Sequence, residues 1–492
     1  MGLEDIKKSG EEFLIKLGRD YYYGGSGKKK RGDFQSLYDE YKDLFSLETI
    51  KKVQSLKQSG CTEDAYLISF LIKGYLGREI QAITKEIYDA ELNSHMLYQG
   101  KETSLRFGKM LLSIEQDREK RLQLDELVTQ KQVQFNYLRK RRIRKLKECA
   151  NKLGYQNYLN LIEDVEQIDT YQLIKIAKDF LIRTEDVYLK CLSFLNDYIG
   201  NGEQPIRKSD IAFIFKSNNF ANLFPELELV PSIEDTFYSL GINVHQQDNL
   251  KIDYEKNESK SPTPFCCPIK VPDEIHLVLN PTGGIDDYQN SLHEAGQCQF
   301  LAHIDKALPM EFKRMGDKSI RESYGLLFQF LTLNEKWINR FLNFDNEKSD
   351  YLTFAWSYKL YVIRRYCGKL MYEAQLYSKE YSEKTLEELY ENIMSDAVKL
   401  DVSKNNYLLD LDLGFNTPEY LKSWALENSL RSFLTSNYGE NWFEKKEAGK
   451  FLQALWKSGT KYNYKKMIAK LGFTQKDLAD LLIEQFSDIL ER

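Results

Sequence analysis

His293-Glu294-Ala295-Gly296-Gln297 decides how this chain is read. It departs by one residue from the HExxH pattern, in which two histidines one helical turn apart bind a zinc ion and the intervening glutamate activates a water. Residues four apart on an α-helix differ by about 40° in rotation and ~6 Å in rise, so 293 and 297 project toward one point, with Glu294 beside it. The spacing predicts a helix with one metal-facing side. Gln297 brings a carboxamide where the pattern has an imidazole.

A zinc site needs at least a third protein ligand and an open position for water. The best third candidate is Glu322, in Ser319-Ile320-Arg321-Glu322-Ser323-Tyr324, 29 residues after His293. Pro309 and Gly316 mark a turn between two helices, so Glu322 can return on an antiparallel partner. His303 is a poorer candidate, because an unbroken helix puts it ~15 Å away and about 80° off the face. Sites that use a histidine at that offset need a helix break, commonly glycine where this chain has Phe300.

This arrangement resembles the thimet oligopeptidase and oligoendopeptidase F family of zinc peptidases. Other segments are similar to the same family. Pro264-Phe265-Cys266-Cys267-Pro268, then Glu274-Ile275-His276-Leu277-Val278-Leu279-Asn280, then Gly283-Gly284 resemble the two strands and glycine turn before its zinc helix. Leu153-Gly154-Tyr155-Gln156-Asn157-Tyr158 resembles its LGxxNY signature, and Gly414 to Trp424 its tyrosine-rich C-terminal segment. The resemblance runs from about residue 120 to the C-terminus and is strongest over 264–331.

The resemblance implies a mostly α, two-lobed helical fold with a small β-sheet beside the zinc-motif helix and a central channel suited to short peptides. It implies His293, Gln297 and Glu322 as metal positions, with zinc the weakly held cofactor, and Glu294 as general base. Gly283, Gly284, Asp410, Phe415, Glu419 and Lys422 fall at its substrate-binding positions. In the C-terminal segment only Tyr420 keeps a hydroxyl, as a catalytic candidate.

An amide oxygen is a neutral, hard donor, so Gln297 weakens the site relative to an imidazole. Changing even outer partners of a metal costs roughly 10- to 100-fold in affinity or activity, and losing a transition-state donor about 10²- to 10³-fold in turnover. Three functions stay open: a peptide- or partner-binding relative that is inactive or weakly active, an active zinc oligoendopeptidase with Glu294 as base, and a non-peptidase metalloenzyme using Asp410 and Glu419 as further oxygen ligands.

Composition sets the frame. The chain has 492 residues, 42% hydrophobic and 13% aromatic, ample for a large core. Lys and Arg number 69 against 74 Asp and Glu, which predicts neither a nucleic-acid partner nor a membrane-surface one. The basic run Arg139 to Lys147 has helical apolar spacing and reads as a solvated, partly paired helix face. Gly24 to Arg31 lacks the spacing of a phosphate loop and reads as a mobile, polar loop.

Seven scattered cysteines suggest free thiols in a reducing compartment, and Cys298 lies about 100° round the helix from Gln297. If 264–268 is a strand, Cys266 and Cys267 point to opposite faces. The N-terminal residues show no secretory pattern, Ile6 argues against myristoylation, and no run of about 18 apolar residues exists. A cytoplasmic protein is expected.

Helical periodicity dominates the first 200 residues and returns after 290, with β-type runs between, notably Ile275 to Leu279. The expected division is an N-terminal helical lobe over 1–200 and a catalytic-type lobe over 201–492. The sheet edge is expected to be able to pair with an extended peptide.

Overall fold

Helices form where apolar residues recur at three and four. In Thr170–Arg183 the residues Leu173, Ala177, Phe180 and Leu181 are buried, and Asp169 caps the first turn by accepting from Gln172 N. The computed structural model describes residues 2–29, 34–200, 202, 204–216, 218–344, 347–473 and 478–486. Over these the chain is mostly α, with two small sheets.

The LGxxNY-like segment is a helix stop followed by a helix start. Leu153 ends the Asn136–Lys152 helix, Gly154 takes φ +91°, and the Asn157 side chain accepts from Asn160 N to open the next helix. The basic run lies on Asn136–Lys152, whose apolar stripe includes Leu138, Ile143 and Leu146. Its charges are largely matched: buried Arg139 pairs with Glu91, and on the outer side Lys140 pairs with Glu383, Arg141 with Glu86, Lys145 with Glu79 and Lys147 with Glu380. A face so neutralised is not a phosphate-binding surface.

Two local expectations are corrected. The first 200 residues contain a β-hairpin, His95–Tyr98 paired antiparallel with Lys101–Ser104. Gln99 and Gly100 both take positive φ, 50° and 75°, as a tight hairpin turn requires, and the helical pattern of the flanking sequence masks this signal. At the other site, Gly24 and Gly25 are the last residues of the Leu3–Gly25 helix, and Lys28 is anchored by an ion pair to Asp253 at 3.0 Å rather than lying in a free loop. Lys30 and Arg31 lie outside the described residues.

The chain forms two compact units, each built from three segments. One comprises Met1–Arg78, Asn219–Lys348 and Lys422–Leu481; the other comprises Glu79–Asn218, Ser349–Leu421 and Leu482–Arg492. Two of the crossings fall inside the helices Thr62–Leu92 and Thr417–Tyr438, where no change in composition marks them. The units are therefore not the contiguous stretches 1–200 and 201–492.

The first unit carries a three-stranded sheet. Glu274–Val278 is central, parallel to Leu250–Asp253 and antiparallel to Phe265–Lys270. Alternation along Phe265–Lys270 sends Cys267 toward the N-terminal helix, where its thiol reaches the Gly18 carbonyl at 3.1 Å. Cys266 points the other way, beside Cys298 of the helix Ile285–Ala302. That helix is buried over most of its length, against the sheet and against Lys318–Gln329. Its interior amides are matched: Gln289 donates to Thr332, and Gln299 exchanges hydrogen bonds with Gln247.

Candidate functional site

The helix bearing the HExxQ pattern starts at a turn that only glycine makes cheaply. Gly283 and Gly284 have φ of 75° and 87°, and a Cβ on Gly283 would stand 2.9 Å from the Phe224 carbonyl oxygen. Asp287 in the first turn accepts from Thr282 N and Gly283 N at 2.6 and 2.9 Å, neutralising free donors at the positive helix end. Both glycines thus serve the turn that aims the helix.

The chain reverses over Pro309 and Gly316, and the second helix runs over Lys318–Gln329. Asp317 caps it, accepting from Ser319 N at 3.1 Å and from Tyr464 N at 3.0 Å. Lys422 is 2% exposed and lies 3.6 Å from the Asp317 carboxylate, so this predicted substrate contact instead steadies the cap. Two glycines let the helices approach closely. A Cβ on Gly296 would be 2.7 Å from the Tyr324 carbonyl oxygen, and one on Gly325 would be 2.7 Å from His293 Nε2.

At this crossing His293, Gln297 and Glu322 converge as the spacing predicted. His293 Nε2 is 3.4 Å from Glu322 Oε1 and 2.7 Å from Gln297 Nε2. The Gln297 amide nitrogen also donates to Glu322 Oε2 at 3.0 Å, and its oxygen accepts from Arg321 Nε at 2.5 Å. Because a guanidinium can only donate, Arg321 fixes which end of the amide is oxygen. Gln297 therefore turns its two N–H groups to the imidazole and the carboxylate.

His293 completes the pattern through Nδ1, 3.0 Å from Gln329 Oε1. A proton on Nδ1 serves Gln329 and a lone pair on Nε2 accepts from Gln297, while Glu322 Oε1, 3.4 Å from the same Nε2, favours a proton there. Burial works against charge on His293, but Glu322 outweighs it and holds the ring more basic than usual. Burial likewise opposes charge on Glu322, and His293, Arg321 and Gln297 together keep it below the ordinary carboxylate range. Glu294 shifts upward, with burial dominant over the pull of His293 and Arg321.

Glu294 is tied to the sheet by one of its two oxygens. Its Oε2 accepts from Cys266 N at 2.8 Å, the backbone of the edge strand Phe265–Lys270. Further along this edge Pro268 has no N–H to offer, and its carbonyl accepts from Arg314 at 2.9 Å. The strand edge expected to receive an extended peptide is thus closed by Glu294, Pro268 and Arg314.

The donor set does not fit a zinc-peptidase centre. One imidazole and one carboxylate converge; the third position presents N–H groups, which cannot ligate a cation. Turning the amide to offer its oxygen would face its NH₂ toward Arg321, leaving buried donors opposed at a cost of ~1–3 kcal/mol. Among the described residues no three His, Cys, Asp or Glu side chains come together to hold a metal ion. Cys298 is buried, with its thiol toward the His276 carbonyl, and His303 ends the helix with Nδ1 on Gln299 O, so neither joins the cluster.

The remaining predicted residues belong to the second unit, except Lys422. Asp410 is ion-paired with Arg365 and accepts from Tyr390 at 3.1 Å. Phe415, 1% exposed, packs its ring 5.9 Å from Tyr377. Glu419 is buried in the first turn of Thr417–Tyr438, and the Tyr420 ring lies 4.8 Å from Tyr366, edge-on. Sequence reasoning missed Arg321 and Gln329. Both were legible in principle, since Arg321 adjoins Glu322 and Gln329 follows it by two helical turns on the same face.

A HExx-bearing helix backed by a small sheet and met by an antiparallel helix carrying a glutamate characterises this mostly α fold. No family model matches the sequence, and neither does any curated protein. Solved structures do match. The crystal structure of a "putative oligoendopeptidase F" from Bacillus anthracis str. Ames superimposes with a TM-score of 0.64 at 13% identity, over 96% of this chain and 85% of that one. A second X-ray structure of the same description gives 0.66 at 13%, over 97% and 86%. At this identity the likeness establishes the fold.

Proposed function

We propose that this chain is a relative of the oligoendopeptidase F-type zinc peptidases that binds short peptides or a protein partner without hydrolysing them. The observation that carries the reading is the Gln297 amide, which turns N–H groups rather than a lone pair to His293 Nε2 and Glu322 Oε2. The bond from the Cys266 N–H to Glu294 Oε2 accompanies it, holding this carboxylate against the edge strand. Closure of the strand edge points to recognition through side chains rather than through strand pairing.

The test is a peptide-library digest with native protein, with and without added zinc, alongside a binding screen of the same library. Binding without cleavage is expected. Cleavage that Glu294→Gln abolishes would overturn the proposal and make the protein a working peptidase.

A further inference from the structure

We infer that Arg321 is a resident cation that takes over the charge role of a metal and bars zinc from this centre independently of Gln297. The inference rests on the reading of a silent centre and adds a second determinant that the HExxQ pattern does not contain.

Arg321 adjoins Glu322 in sequence and reaches across to Gln297 on the opposing helix, donating from Nε to the amide oxygen. The charges acting on it are the carboxylates of Glu294 and Glu322. Two partly buried carboxylates beside one imidazole favour a positive charge nearby, which a hydrolytic centre obtains from its divalent ion. Here one permanent, covalently attached charge supplies it, since a guanidinium does not deprotonate in proteins. A zinc ion held by His293 and Glu322 would sit beside that charge, and like charges this close repel even where water partly screens them.

The consequence concerns repair of the motif. Gln297→His restores HExxH, yet it also removes the oxygen that Arg321 binds. The guanidinium then faces an imidazole with no acceptor to spare for it, and its charge remains. Restoring the histidine alone should not restore the metal. Removing the charge as well should.

Zinc titration calorimetry, with elemental analysis after removal of free metal, compares the native protein, Gln297→His, and Gln297→His combined with Arg321→Gln or with Arg321→Leu. Two replacements of different polarity guard against one failing to fold, and circular dichroism verifies each. The expected result is no stoichiometric zinc on the native protein and one zinc per chain on the double variants. Their affinity should exceed that of Gln297→His by at least ~10- to 100-fold, the range that outer partners of a metal command. Adding Glu322→Ala should remove that zinc, and Gln297→His with Arg321→Lys, which keeps the charge, should stay as poor as the single variant. Equal affinity of the single and double variants, or no zinc on a folded double variant, overturns the role of Arg321 while leaving the silent-centre reading intact. Stoichiometric zinc on the native protein overturns both.

Discussion

Arg321 Nε donates to Gln297 Oε1 across the two-helix crossing, and this one contact orients the amide that closes the centre. Everything at the crossing depends on that orientation. The imidazole of His293 and the carboxylate of Glu322 receive the two remaining N–H groups, so no atom of Gln297 is left unmatched.

Gln297→Met keeps the side-chain volume while deleting three hydrogen bonds. It leaves Arg321 and Glu322 short of partners, and a loss of ~1–3 kcal/mol is expected from the unsatisfied groups. Urea denaturation of the native and variant proteins measures it. An unchanged midpoint would mean that the cluster contributes nothing to stability.

Gly325→Ala places a methyl 2.7 Å from the Cε1 and Nε2 atoms of His293. The ring must move, and overpacking of a tight interior typically costs ~1–3 kcal/mol. The expected signature is a lowered melting temperature together with a shift of the His293 imidazole resonances in an NMR spectrum.

Glu294→Gln and Glu294→Ala separate a structural glutamate from a catalytic one. Glutamine retains an oxygen for the Cys266 N–H, so its stability should stay within about 1 kcal/mol of native, whereas alanine leaves that donor unmatched and should lose ~1–3 kcal/mol. In thermal melts the alanine variant should melt clearly below the glutamine variant.

Asp317→Ala should destabilise by ~1–3 kcal/mol, because it removes an ion-pair partner of the buried Lys422 and also a helix cap. The double change Asp317→Asn with Lys422→Met should be milder than Asp317→Ala. Burial works against the Asp317 charge, but Lys422 and the hydrogen bonds to Ser319 and Tyr464 prevail and hold its pKa low. Its contribution to stability is therefore present above the unfolded carboxylate range and is lost as pH falls through the folded value.

Glu373 gives a pH dependence of opposite sign. Burial, aided by Asp412 against the pull of Lys369, raises its carboxyl to about 8, while Asp412 N and Thr417 Oγ1 donate to it. Between the ordinary carboxylate range and about 8 the folded state holds a proton that the unfolded chain has released. Stability from this group is full below that window and falls as pH rises through it. Glu373→Gln should flatten the slope in melting temperature between pH 5 and 8, as scanning calorimetry would show.

Much of the fold was legible. Pro309 and Gly316 announced the reversal because both interrupt a helix, and the glycines at 283 and 284 announced the turn before the helix because both take a positive φ that few other residues share. The hairpin at 95–104 was hidden by helical periodicity on both sides of it. The unit boundaries at 78–79 and 421–422 were illegible because a helix that passes from one unit to another keeps its apolar period throughout.

The sequence by itself determined that His293 and Gln297 face one point and that Glu322 can return to it, since helical spacing follows from covalent geometry and a proline–glycine turn. Only the tertiary structure decided what Gln297 does there. An amide turns freely about its last bond, and its direction is set by whichever charge it meets. That charge, Arg321, comes from a different helix 24 residues away, and the same packing brings one Glu294 oxygen to the backbone of a strand.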